Sequence, residues 1–261
     1  MPNAVNITLD EARELVSNRL LWPRVSEFLW DFAPQVHESW LGGSVVKWLG
    51  SEGSTQLPHN HLTAQPLNRL TMSSPRVKRY ILESLGVEPC FHTFPKEDGS
   101  RILLLDGATL ESAAKWLGAL ACAESLRRVT SGEVVRELKS KLRGIYPEVF
   151  SYTAYFSGLD SSHRDTEAQS LEDEIVSTGC NMLFSAIAGL PASLVSRLKL
   201  KLPKSLCELC VSPLLGHPLC GQPSAGGYAP LRLKERSSQT NLSAVLKLFK
   251  LKFPEAYKLC C

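Results

Sequence analysis

Four residues near the C-terminus have the types and spacing of a metal site. Cys207 and Cys210 form a Cys-x-x-Cys pair, and His217 and Cys220 follow in a stretch rich in Gly and Pro. Zinc takes four thiolate or imidazole ligands in a tetrahedron, and a Cys-x-x-Cys pair can grip one edge of it. The same pair also reads without a metal. SLCELCV has a helical pattern, in which Cys207 and Cys210 share a face with Leu206 and Leu214 as simple core thiols. No βαβ pattern surrounds the pair, which argues against a thioredoxin-like redox motif. The expectation is free thiols and no bound metal.

The remaining candidates are weaker. His59 and His61 stand in a polar loop, and His92 alternates with apolar neighbours as a structural side chain would. Phe28, Trp30, Phe32 and Trp40 could stack nucleobases. Only Arg24 stands close to them in sequence, so a core or a protein interface is the better reading. The chain holds no GxxxxGK[ST], no GxGxxG after a strand, no GxSxG and no HExxH. Nothing specifies an enzyme, and no cofactor is expected.

The elements that would position these residues are mostly helices. Thr8 and Glu11 have capping-box spacing ahead of an apolar stripe from Leu9 to Leu20. Ser74-Pro75 opens a helix that Gly86 ends, with Val77, Tyr80, Ile81, Leu82 and Leu85 inward and Arg76, Lys78 and Arg79 outward. Residues 109–123 give a strongly apolar helix whose Gly118 and alanines suit close helix–helix approach. Thr130 and Glu133 again have capping-box spacing, ahead of an amphipathic helix that ends at Gly144. Pro147 begins a short helix running to about Phe156, and 167–189 reads as one long helix. A helix follows Pro191 and stops at Pro203. The chain ends in a basic amphipathic helix interrupted at Pro254. The exception is a small β-hairpin near residues 90–105: Cys90–Phe94 alternates, Asp98-Gly99 is a turn signal, and Ile102–Leu105 is an apolar run. The fold class is therefore all-α with one hairpin. Its domain at 1–203 carries a linker at about 157–166. The extension at 204–261 carries a Gly/Pro-rich loop and the basic helix.

Composition sets outer bounds. The chain has 261 residues, 44% hydrophobic and 21% charged, with mean hydropathy −0.06, which excludes a fully disordered chain. No run approaches the length needed to cross a bilayer, and the N-terminus lacks the apolar segment of a secretory signal. Eight cysteines in such a chain suggest a reducing cytoplasm. The net charge of +3 is too mild to imply nucleic-acid binding, although it is uneven. Residues 160–174 hold six acidic side chains against Arg164, a net of −5. Residues 191–261 hold eleven Lys/Arg against Glu208, Glu235 and Glu255, a net of +8. Solvated helix faces account for both, and an anionic partner would also fit the second.

Several segments resemble a known family. His37-Glu38-Ser39-Trp40-Leu41 is similar to a segment near the start of the SctK (YscK-type) proteins of bacterial type III secretion systems. VKRYILESLGVEPCFHTF, RILLLDGATLESAAKWLGALACAESLRRV and GEVVRELKSKLRGIYPEVFSY resemble the family's central region in order and spacing, and LPASLVSRLKLKLP its later apolar–basic helix. Leu105-Asp106-Gly107-Ala108-Thr109-Leu110 is the most specific piece. The resemblance runs through most of residues 28–203. The loop at 50–66, the breaker-rich segment at 212–240 and Cys260-Cys261 depart from it.

The resemblance implies a non-enzymatic, mainly helical protein of the injectisome sorting platform, at the cytosolic face of the inner membrane. It implies a connector between the inner-membrane ring protein SctD and the pod protein SctQ, assembled with SctL and the ATPase SctN. Two partner surfaces are expected. One is Trp30 to Trp40 with Arg76, Lys78 and Arg79; the other is acidic near Glu172 to Glu174 and basic near Arg197, Lys199 and Lys201. Two other classes remain: a nucleic-acid-binding or regulatory module using the basic C-terminal helix, and a small zinc protein. A nucleic-acid binder would lose affinity steeply with salt, because phosphate contacts release counterions.

Overall fold

The computed structural model describes Arg13 and residues 16–41, 74–87, 92–95, 97–156, 168–209 and 231–261; within these, the side chains at 168–172, 209 and 231–238 are not described. The first capping box at Thr8, the loop at 50–66 and the linker at 157–166 lie outside the described residues. The helices are α1 (Leu21–Trp30), α2 (Pro75–Ser84), α3 (Gly107–Ala121), α4 (Ala123–Arg128), α5 (Gly132–Lys141), α6 (Ile145–Tyr152), α7 (Ala168–Ala186), α8 (Ala192–Lys201), α9 (Lys204–Leu209), α10 (Leu231–Lys252) and α11 (Pro254–Cys260). They fall into two compact units, each built from two stretches of chain: residues 1–94 with 191–204, and 95–190 with 205–261.

The first unit has an aromatic core. Asn18 Oδ1 accepts from the Leu20 and Leu21 amides at 3.1 Å each, satisfying donors at the start of α1. Leu21, Val25, Phe28 and Leu29 then fill one buried face of that helix. Phe28 meets Phe32 and Phe94 edge-on, with centroids 5.4 and 5.6 Å apart. Pro75 occupies the first turn of α2 and Gly86 follows it at φ 65°, as the sequence pattern requires. Lys78 of α2 reaches Asp31 at 2.6 Å.

The second unit is built on a contact between two backbones. A Cβ placed on Gly118 of α3 would lie 1.7 Å from the Ile175 carbonyl oxygen, and one on Gly179 of α7 would lie 1.8 Å from that of Ala114. Only hydrogen at both positions lets the helices come this close. Asp106 caps α3, accepting from the Thr109 amide and hydroxyl at 2.8 Å each, a device worth ~1 kcal/mol. The most specific piece of the family-like sequence thus fixes the start of the central helix. Lys252 fastens α10 to the same assembly. Its ammonium lies 4.6 Å from the Trp116 ring centre and 4.3 Å from that of Tyr152, and it pairs with Glu148. Burial works against that charge; hydrogen bonds to Glu148 and Tyr152 outweigh it and raise the lysine pKa.

The hairpin expected near 90–105 does not form: among the described residues there is no strand. Asp98 Oδ1 accepts from the Ser100 amide at 2.7 Å and Gly99 adopts φ 72°, so the turn is real. The turn leads into a 3₁₀ helix, Ser100–Leu104, rather than a strand. Ile102, Leu103 and Leu104 are all buried, a pattern that period-two alternation cannot give. Two boundaries also move. The helix expected to be capped at Thr130 starts at Gly132 after Ser131, with no side-chain cap. The helix expected to begin at Pro147 starts at Ile145, directly after Gly144 at φ 71°.

Candidate functional site

The first unit brings together most of the residues expected to meet partners. The His37-Glu38-Ser39-Trp40 segment forms a 3₁₀ turn, Glu38–Trp40, that docks on the end of α8 through polar contacts. The His37 amide donates to the Leu200 carbonyl at 2.8 Å. The His37 ring accepts from the Ser39 amide at 3.2 Å, and Ser39 Oγ in turn accepts from the Lys204 amide at 2.8 Å. The Trp40 indole N–H donates to the Leu202 carbonyl at 2.8 Å. Lys199 and Lys204 approach the same indole, 5.6 and 6.0 Å from its centre. The polar atoms of this segment therefore tie the chain near residue 40 to residues 200–204, 162 positions apart at the Trp40–Leu202 bond.

Arg197 does not face solvent. It is 2% exposed and lies between Phe28 and Phe32, 5.5 and 5.2 Å from their ring centres. Its guanidinium donates to the Phe28 carbonyl and, at 3.3 Å, to the Leu29 carbonyl. Those carbonyls belong to the last turn of α1, where the helix's own ladder supplies no donor and a cation complements the dipole. Lys201, also 2% exposed, places its ammonium 4.9 Å from the Phe28 ring centre. A signal for this was present in the sequence. Leu194, Arg197, Leu198 and Lys201 recur at helical spacing, so two cations stand in the buried stripe of α8.

The outward face carries other residues. Trp30 is 60% exposed and meets the half-buried Trp22 edge-on at 5.6 Å. Ser26 stands between them on the helix, small enough to let the two indoles touch above it. On α2, Arg76 is exposed, and so is Tyr80, against the expectation that it packs inward, because Val77 and Ile81 alone fill the buried stripe; Arg79 pairs with Glu83 at 2.8 Å. That hydrogen bond, with the Glu83 charge, raises the Arg79 pKa.

The remaining predicted residues divide. Glu172 lies in α7 and its side chain is outside the described residues. Cys207 is a buried thiol in α9 outside any disulfide, while Cys210, His217 and Cys220 lie outside the described residues. Among the described residues no three His, Cys, Asp or Glu side chains converge on a possible metal position. Burial, reinforced by Cys261, pushes the Cys260 thiol up to about 12, which makes it a packing group rather than a nucleophile. No helix among the described residues is long and apolar enough to cross a membrane.

Against known proteins, a family model described as "YOP proteins translocation protein K (YscK)" matches residues 28–259. No curated protein and no solved structure matches. The family match runs past residue 203, so it takes in much of the C-terminal segment that the sequence resemblance left out.

Proposed function

The chain belongs to the YscK family, which gives it a role in type III secretion, and from that premise we propose that it is a non-enzymatic adaptor of the injectisome sorting platform. In this reading it connects the inner-membrane ring protein SctD to the pod protein SctQ, and reaches SctL and the ATPase SctN through the pod. It works in the cytoplasm, held at the inner membrane by its partners. The observation that carries the reading is the family match over residues 28–259.

The geometry of the first unit supports it. The polar groups of the His37–Trp40 segment hold the fold together. The side chains of that unit best suited to a partner are then the exposed Trp30, Arg76, Arg79 and Tyr80, with the half-buried Trp22 beside them. Aromatic and arginine side chains are the types that most often carry interface energy. Arg197, 2% exposed, is left out of this proposed contact. The test is binding of the purified chain to SctQ and to the cytoplasmic domain of SctD from the same system. Arg76→Glu with Arg79→Glu should weaken one partner roughly tenfold and spare the other, with circular dichroism unchanged. Unaltered binding to both by the folded variant would show that this face is not the contact.

A further inference from the structure

The second unit carries a charged ridge that the contact surfaces above do not use. Residues 127–143 contain Arg127, Arg128, Arg136, Lys139, Lys141 and Arg143 against Glu133 and Glu137, a net of +4. The cations are not equivalent. Arg127 and Arg128 pair with Glu124 at 3.6 and 3.7 Å, and Lys141 pairs with Glu137 at 3.1 Å. Arg136, Lys139 and Arg143 form no ion pair among the described residues. All three are exposed. Arg136 donates to the Gly132 carbonyl at 3.2 Å, and Lys139 lies 5.9 Å from the Tyr146 ring centre.

Their spacing places them together. Arg136 and Lys139, at i and i+3, share one stripe of α5, and Arg143 follows in the turn just past the end of that helix at Lys141. The paired Glu137 and Lys141 lie on the other flank of α5, whose one fully buried residue is Leu138. The helix dipole accounts for a lysine in the last turn. It does not account for Arg136 in the middle of the helix.

We propose that the exposed cations Arg136, Lys139 and Arg143 dock an acidic segment of a partner protein, one that carries several carboxylates. This rests on the adaptor reading and assigns it a second contact. The surroundings favour a protein over other polyanions. No large apolar side chain is exposed between Glu124 and Phe150, so the ridge has nothing to insert into a lipid surface. Glu124, Glu133 and Glu137 are interleaved with the cations, which would repel a continuous phosphate backbone but can set register against discrete carboxylates.

The experiment measures binding of the full chain and of Arg136→Glu/Lys139→Glu/Arg143→Glu at low and high salt. The probes are purified SctQ, the cytoplasmic domain of SctD, vesicles of phosphatidylglycerol with phosphatidylcholine, and a DNA duplex. The expected result is that wild-type affinity for one protein falls with salt and the triple variant loses roughly tenfold or more in affinity for it. A variant replacing both arginines with lysine should keep most of that binding. If the wild type binds and the folded triple variant binds both proteins equally well, these cations are not a contact and the adaptor reading stands. If the wild type binds neither protein, both readings fall. Binding to vesicles or DNA as tight as to either protein overturns the acidic-protein assignment.

Discussion

The two units hold themselves together by opposite means. The first places a charge inside: Arg197 is buried among phenylalanines and donates through one guanidinium nitrogen to the last-turn carbonyls of α1. The second places nothing at all at its centre, because Gly118 and Gly179 let α3 and α7 meet backbone to backbone. Its own cation, Lys252, sits nearer the surface with a carboxylate beside it. The first arrangement depends on direction, since each hydrogen bond must reach its carbonyl. The second depends on volume, and one methyl group is already too much.

That contrast can be broken most severely at Gly118. Gly118→Val should cost at least ~3 kcal/mol, because the new side chain meets a carbonyl rather than a movable side chain. Chemical denaturation of the purified variant checks this, and a loss under ~1 kcal/mol would mean that the helices can part cheaply.

Arg197→Met comes next. It keeps the length of the side chain but leaves two carbonyls at the end of α1 without their donor, at an expected cost of about 2–4 kcal/mol. Equal or greater stability would show that the buried charge is dispensable to the fold, as can happen when apolar packing replaces it. The smallest effect is expected at the exposed cations. The double variant at Arg76 and Arg79, and the triple variant at Arg136, Lys139 and Arg143, should each leave stability within ~0.5 kcal/mol of wild type while changing binding. The same measurements thereby separate residues that build the units from residues that present them.

Much of this was written in local pattern. Pro75 and Gly86 bracket α2, and Gly118 among alanines announces a close approach; the start expected at residue 109 lies two residues inside α3, which Asp106 caps. Each is a signal that acts within one or two turns of helix. The failures involve partners far away in sequence. Asp98-Gly99 does make a turn, but a turn does not supply a second strand, and residues 100–104 coil into a 3₁₀ helix with their apolar side chains buried. Arg197 and Lys199 look alike in LVSRLKLKL. Helical spacing sets Arg197 in the buried stripe with Leu194 and Leu198, but the Phe28 and Leu29 carbonyls that receive its charge lie 169 and 168 residues away. Trp40 is half-buried, and the bond from its N–H to the Leu202 carbonyl is one that the local pattern does not announce. The exposed sites were visible as residue types, whereas their division into structural and available groups needed the fold.

The central claim is that this chain bridges two other proteins. Size-exclusion chromatography with light scattering on SctQ, the cytoplasmic domain of SctD and the full chain tests it most directly. The account predicts a ternary complex that forms with the chain and is absent when the other two are mixed alone. It would be contradicted by SctD and SctQ associating equally well without the chain, or by the chain co-eluting with neither.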